Sequence, residues 1–215
     1  MFLLALAAQF SLPTLTNTRV PDVRALFTFD DVPAFLLSQG TVDRAVYTRT
    51  TIRPDGTIEG CVAEPRSSDP KLDSYTCALI VKRAKFLPAK WIDGSAAYGV
   101  IRVPVRWWVG DNMPPDDDDL GSNIPDLDLS VNHLPKGAPS MVGLSLVVAA
   151  DEKGHAVSCA EWPPLAGSPR KRFPELVPIA CQQATASLVL IPPVDASGEA
   201  ARSVQSVSVR FRLGK

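Results

Sequence analysis

Four cysteines, two histidines and a run of four aspartates are the residues whose types could carry chemistry in this chain. Thiols act as nucleophiles or redox groups when they are free and activated, and redox pairs favour C-x-x-C spacing. The cysteines stand at 61, 77, 159 and 181, with no C-x-x-C among them. Zinc sites need Cys and His at regular short intervals, and His133 and His155 fit no such interval. Asp116 to Asp119 lack the alternating carboxylates, glycine and distal glutamate of a calcium loop. They read as a solvated acidic stretch. No G-x-S-x-G turn and no phosphate-binding glycine loop occurs. His133 falls in a Pro- and Asp-rich stretch and His155 in a hairpin turn, so neither is placed as a general base. The basic clusters Lys82-Arg83 with Lys85 and Arg170-Lys171-Arg172 read as solvated faces. We therefore expect no enzyme, no metal and no cofactor.

The cysteines repeat. Gly56 precedes Cys61 at the same distance as Gly154 precedes Cys159. After Cys77 come Pro88, Gly94, Val103, Val105, Arg106 and Trp107. After Cys181, at the same offsets, come Pro192, Gly198, Val207, Val209, Arg210 and Phe211. Only the stretch between the cysteines of each pair differs in length. Such a register points to duplication, to be recognised before a fold is assigned. Four cysteines allow three pairings. Only Cys61–Cys77 with Cys159–Cys181 gives both copies the same internal bond. Loops of this size contribute about 3 kcal/mol in the chain-entropy picture, a large share for a thin core.

The elements that hold these cysteines follow from local pattern. Asp30-Asp31 before VPAFLLSQ and Gly40 predict a short helix with acids at its start. TVDRAVYTRTTI predicts a strand, Arg53-Pro54-Asp55-Gly56 a turn, and TIEGCVA the returning strand of a hairpin. Asp69-Pro70 offers an N-cap with Pro at the first helical position. Leu72, Thr76, Leu79, Ile80 and Arg83 recur at helical spacing behind it. Cys77 then lies mid-helix, and its bond would staple the helix to the second hairpin strand. YGVIRVPVRWW closes the copy as a strand, with Ile101, Val103, Val105 and Trp107 on one face and Arg102 and Arg106 on the other. Val207, Val209, Phe211 and Leu213 repeat that face. Pro174 and Pro178 are expected to weaken the second helix. The fold class is α+β: two tandem modules of small antiparallel sheet (hairpin, helix, strand), each with its helix packed on one face.

Composition agrees with a folded, non-bundle protein: 46% hydrophobic, 21% charged, and 20 prolines. Lys+Arg 22 against Asp+Glu 23 gives a net charge of -1 and no reason to expect nucleic acid. MFLLALAA is too short to span a bilayer, and its Ala5-Leu6-Ala7 triplet resembles the end of an export signal. The expected organisation is a signal segment over 1–8, a first module over 20–109, an acidic Pro-rich linker over 110–136, in which little apolar core is expected to cross, and a second, diverged module over 137–215.

The first copy resembles the C-terminal domain of TonB-type energy transducers. The residues that carry the resemblance are Arg53-Pro54-Asp55-Gly56, Ser67-Ser68, Leu72-Asp73, Arg83-Ala84-Lys85-Phe86, Pro88-Ala89, Gly94 and Val103-Pro104-Val105-Arg106-Trp107. They span about residues 29–108, with Val32-Pro33 and Gly40 where the family has its proline-containing leading segment. The second copy keeps only Gly154, its cysteines, Pro192, Gly198 and the closing strand. The resemblance implies a periplasmic domain of a Gram-negative-type bacterium that meets outer-membrane receptor segments by strand addition. The matching surface is Gly99, Val100, Ile101, Arg102, Val103, Val105, Arg106, Trp107 and Trp108. Pro104 cannot donate a ladder bond and suits an edge. Neither the membrane helix nor the long Pro-rich spacer of a transducer is seen, so a soluble, partner-binding relative is expected, with a protein or peptide as partner. The alternative is a structural envelope protein whose modules pack together or homodimerise.

Overall fold

The computed structural model describes residues 26–111, 125–162 and 172–214. The expected signal segment, Asp116 to Asp119 and Arg170-Lys171 lie outside them. The elements are β1 (Val42–Ile52), β2 (Ile58–Ala63), β3 (Ala89–Lys90), β4 (Ala96–Val109), β5 (Leu127–Val131), β6 (Met141–Ala150), β7 (Ala156–Glu161) and β8 (Ser203–Leu213), with helices α1 (Ala34–Leu37), α2 (Pro70–Arg83) and α3 (Val177–Ser187). All eight strands form one mixed sheet in the order β2-β1-β4-β8-β6-β7, with β3 beside β4 and β5 beside β8.

Local chemistry explains most of these boundaries. The Asp69 side chain accepts from the Lys71 and Leu72 N–H groups, and Pro70 occupies the first turn, so α2 starts where the sequence places its cap. Such a cap is worth about 1 kcal/mol. Asp31, expected among the acids opening a helix, instead ends a 3-10 turn over Phe29–Asp31. It accepts from Arg83 at 2.6 Å, and Tyr75 Oη donates to its carbonyl. This ties the leading segment to α2. Pro174 and Pro178 do not weaken α3 as expected. Pro174 opens a 3-10 turn and Pro178 sits in the first turn of α3, where a missing N–H costs no helical bond.

The two halves match in detail. β1 pairs with β2 and with β4 so that Thr50 faces Cys61 and Ile52 faces Gly99. In β6 the equivalent residues repeat this: Val148 faces Cys159 and Ala150 faces Ser203. Each hairpin shifts register at one place, between Thr51 and Ile52 and between Ala149 and Ala150. The hairpin turns close with the same two hydrogen bonds, Arg53 N to Thr57 O and Gly56 N to Arg53 O, then Asp151 N to His155 O and Gly154 N to Asp151 O. Disulfides Cys61–Cys77 and Cys159–Cys181 join α2 to β2 and α3 to β7, both with Cα atoms 5.4 Å apart, a normal span.

The join between the halves departs from expectation. Pairing within each half is antiparallel, but β4 and β8 meet in parallel over Tyr98–Val100 and Ser203–Gln205. There are not two separate antiparallel sheets. Leu127–Val131, placed in the linker by composition, is a strand parallel to β8. Leu72, Leu79 and Ile80 of α2 pack with Ile101, Val103, Val105 and Trp107, and also with Val147, Ala149 and Val204. Apolar core of the second half thus enters the first cluster. Ala180 and Ala184 of α3 pack with Leu146, Val148, Val207, Val209 and Phe211. Neighbouring residues of β6, Leu146 to Ala149, therefore alternate between the two clusters. Since successive strand residues face opposite ways, α2 and α3 lie on opposite faces of the common sheet.

Candidate functional site

The expected partner surface, Gly99 to Trp108, lies on β4, where β1 pairs along one edge from Gly99 to Val109. The side chains of Ile101, Val103, Val105 and Trp107 are buried beneath α2. The indole of Trp107 is fixed by donation to Thr76 Oγ1 at 2.8 Å and by edge contact with Phe27. These residues are core, and only backbone on the second edge of β4 is placed to meet a partner strand.

That second edge is divided. Gly99 and Val100 lie in the run paired with β8. Beyond it the strands part. The Arg102 N–H donates to Ser206 Oγ at 2.9 Å, just past the paired run. Past this point no strand among the described residues pairs with that side of β4. The Tyr47 carbonyl accepts from Glu64 N and so faces β2. Its cross-strand neighbour Pro104 therefore turns its nitrogen away from β1, onto the same edge as the Arg102 N–H. Placing proline there removes no ladder bond.

Asp126 fills the base of this fork. Its N–H donates to the Ser208 carbonyl and its Oδ2 accepts from the Ser208 N–H, both at 2.8 Å. Its Oδ1 lies 2.8 Å from Arg102 Nη1. Burial pushes this carboxyl up, against the Ser208 N–H and the Arg102 charge, which favour the ionised form. Asp128 on β5 pairs with Arg210 and, at 3.1 Å, with Arg212. Arg106 is bound to Asp43 at 2.6 Å, and that hydrogen bond holds the Asp43 carboxyl below the usual range. Arg102 and Arg106, the two arginines of the expected partner surface, are thus both engaged within the chain.

Sequence reasoning missed Asp126, Ser206 and Ser208. Asp126 stands directly before the alternation Leu127-Asp128-Leu129-Ser130-Val131, the one signal that separates it from the acidic stretch. His155 is bridged to Val189 and lies 3.5 Å from Asp151 in the turn. Among the described residues no cysteine is free and no group of three His, Cys, Asp or Glu residues is placed to hold a metal. No protein-family model, curated protein or solved structure matches the chain.

Proposed function

We propose that the chain is a pair of tandem TonB C-terminal-like modules, over 20–109 and 137–215, exported to the periplasm, and that it binds an extended protein segment by strand addition to β4. The observation that carries this reading is the fork. β8 leaves β4 after Val100, and the edge beyond it, with Pro104, pairs no strand among the described residues. Main-chain bonds along such an edge supply affinity. Duplication is supported by the shared turn bonds, register shifts and disulfides of the halves. Export is supported by the disulfides. Among the described residues no helix is long and apolar enough to cross a membrane.

A titration of the full chain with N-terminal segments of outer-membrane receptors from the same cell tests the proposal. Amide shifts are expected over Arg102–Val109. Shifts confined to the second half, or none with any segment, would defeat it. The ion pairs Arg102–Asp126 and Arg106–Asp43 favour a second reading, a structural envelope protein whose halves pack together or which homodimerises without a ligand. A dimer mass with silent amides over Arg102–Val109 would select it.

A further inference from the structure

On the face of the sheet that carries α3, beside the fork, lies a cavity of about 160 Å3. Arg49 and Arg102 form its floor and stand directly opposite each other across β1 and β4. Like charges in that position repel, and guanidinium groups do not relieve the repulsion by losing a proton. Their neutralisation is unequal. Arg102 has Asp126 at 2.8 Å, whereas Arg49 has Glu64 only at 3.7 Å and spends Nη2 on the Ile191 carbonyl. Burial holds the Arg49 pKa down, Glu64 opposes this, and Arg102 adds to it. A guanidinium carries five N–H donors, more than these contacts use. Val100 and Leu188 supply apolar wall. The roof, the extended segment after α3, is anchored where Leu190 N–H donates to the Gly154 carbonyl at 2.8 Å.

We propose that this cavity binds a small organic carboxylate, its anionic group between Arg49 and Arg102 and its short apolar part against Val100 and Leu188. Planar, forked donors match a carboxylate and give short charge-assisted bonds. The site lies on a sheet face rather than on the β4 edge, so it does not rest on strand addition. The carboxylate has two sources, a free small acid or the C-terminus of a peptide.

The test uses the intact chain with four probes: isovalerate, an N-acetylated tripeptide ending in leucine as the free acid, the same peptide as the amide, and inorganic phosphate. The readouts are the Arg49 Nε–H resonance and the Val100, Leu188 and Leu190 amides. Saturable shifts with isovalerate or the peptide acid, absent with the amide, are expected. A response to isovalerate identifies a free acid, and a response to the peptide acid alone identifies a chain terminus. Arg49→Gln should weaken binding at least about tenfold, the equivalent of roughly 1.5 kcal/mol for one charged hydrogen bond. Arg49→Lys, which keeps the charge and loses the fork, should fall between, and amide dispersion verifies that both variants fold. No shift with either acid, an equal response to the amide or to phosphate, or unchanged affinity in Arg49→Gln overturns the proposal.

Discussion

Replacing Gly154 with alanine separates two costs that are usually confounded. Four glycines close equivalent turns with left-handed backbone: Gly56 at φ 88, Gly94 at φ 83, Gly154 at φ 84 and Gly198 at φ 87. Any side chain there costs about 1–2 kcal/mol from the backbone alone. At Gly94 and Gly198 an added Cβ meets nothing within 4 Å, so Gly94→Ala and Gly198→Ala should lose only that amount. At Gly56 the new atom would lie 2.6 Å from the Phe86 carbonyl oxygen, and at Gly154 only 1.9 Å from that of Leu190. Backbone must then move, which adds about 1–3 kcal/mol as overpacking. At Gly154 the shift also strains the bond from Leu190 N–H to the Gly154 carbonyl, worth about 1 kcal/mol. The expected order of loss is Gly154→Ala, then Gly56→Ala, then the other two together. Urea unfolding with unchanged m-values measures it. Gly154→Ala no less stable than Gly198→Ala would refute the argument that the hairpin turn and the helix exit are in fixed contact.

Non-reduced peptide mapping should recover Cys61–Cys77 and Cys159–Cys181, and replacing either pair should cost about 2–4 kcal/mol in chemical unfolding. Asp31 is held well below its ordinary value of 3.8, first by the hydrogen bond from Arg83. A depressed carboxyl stabilises the fold above the unfolded pKa and loses that contribution as pH falls through the folded one. Asp31→Asn should therefore flatten the stability profile below about pH 4, and an unchanged acid limb would count against the pair. The fragment 20–109, made in an oxidising compartment, should unfold cooperatively but at a lower temperature than the whole chain, because Val147, Ala149 and Val204 leave its cluster. A fragment with no transition on heating would mean that the halves share one core.

Local signals were legible where one short stretch of chain decides the outcome. Asp69-Pro70 starts α2 because cap and proline act within four residues. The disulfides followed from repeat logic, which needs no geometry. The closing strand was readable because Ile101, Val103, Val105 and Trp107 alternate with polar or proline positions. Illegible features depend on partners distant in sequence. β5 is short and half polar, and only its contact with β8 makes it a strand. The parallel ladder of β4 and β8 covers only Tyr98–Val100, with nothing local to mark it. Arg49 and Arg102 become neighbours only once the β1–β4 register is set. Asp126 is one acid among many until Ser208 and Arg102 surround it.

The unequal joins give the molecule a mechanical grain. Within the first half, β4 is zipped to β1 along Val42–Ile52, while across the middle its ladder with β8 covers Tyr98–Val100, extended by the Arg102–Ser206 bond. A tether pulling on a strand laid against β4 would strain the short seam while the long ladder and the Cys61–Cys77 bond held firm. Parting the halves would also pull Val147, Ala149 and Val204 out of the cluster under α2, so shared core as well as the short seam resists the force. Arg102 and Asp126, which bridge the seam at its open end, would feel that force first.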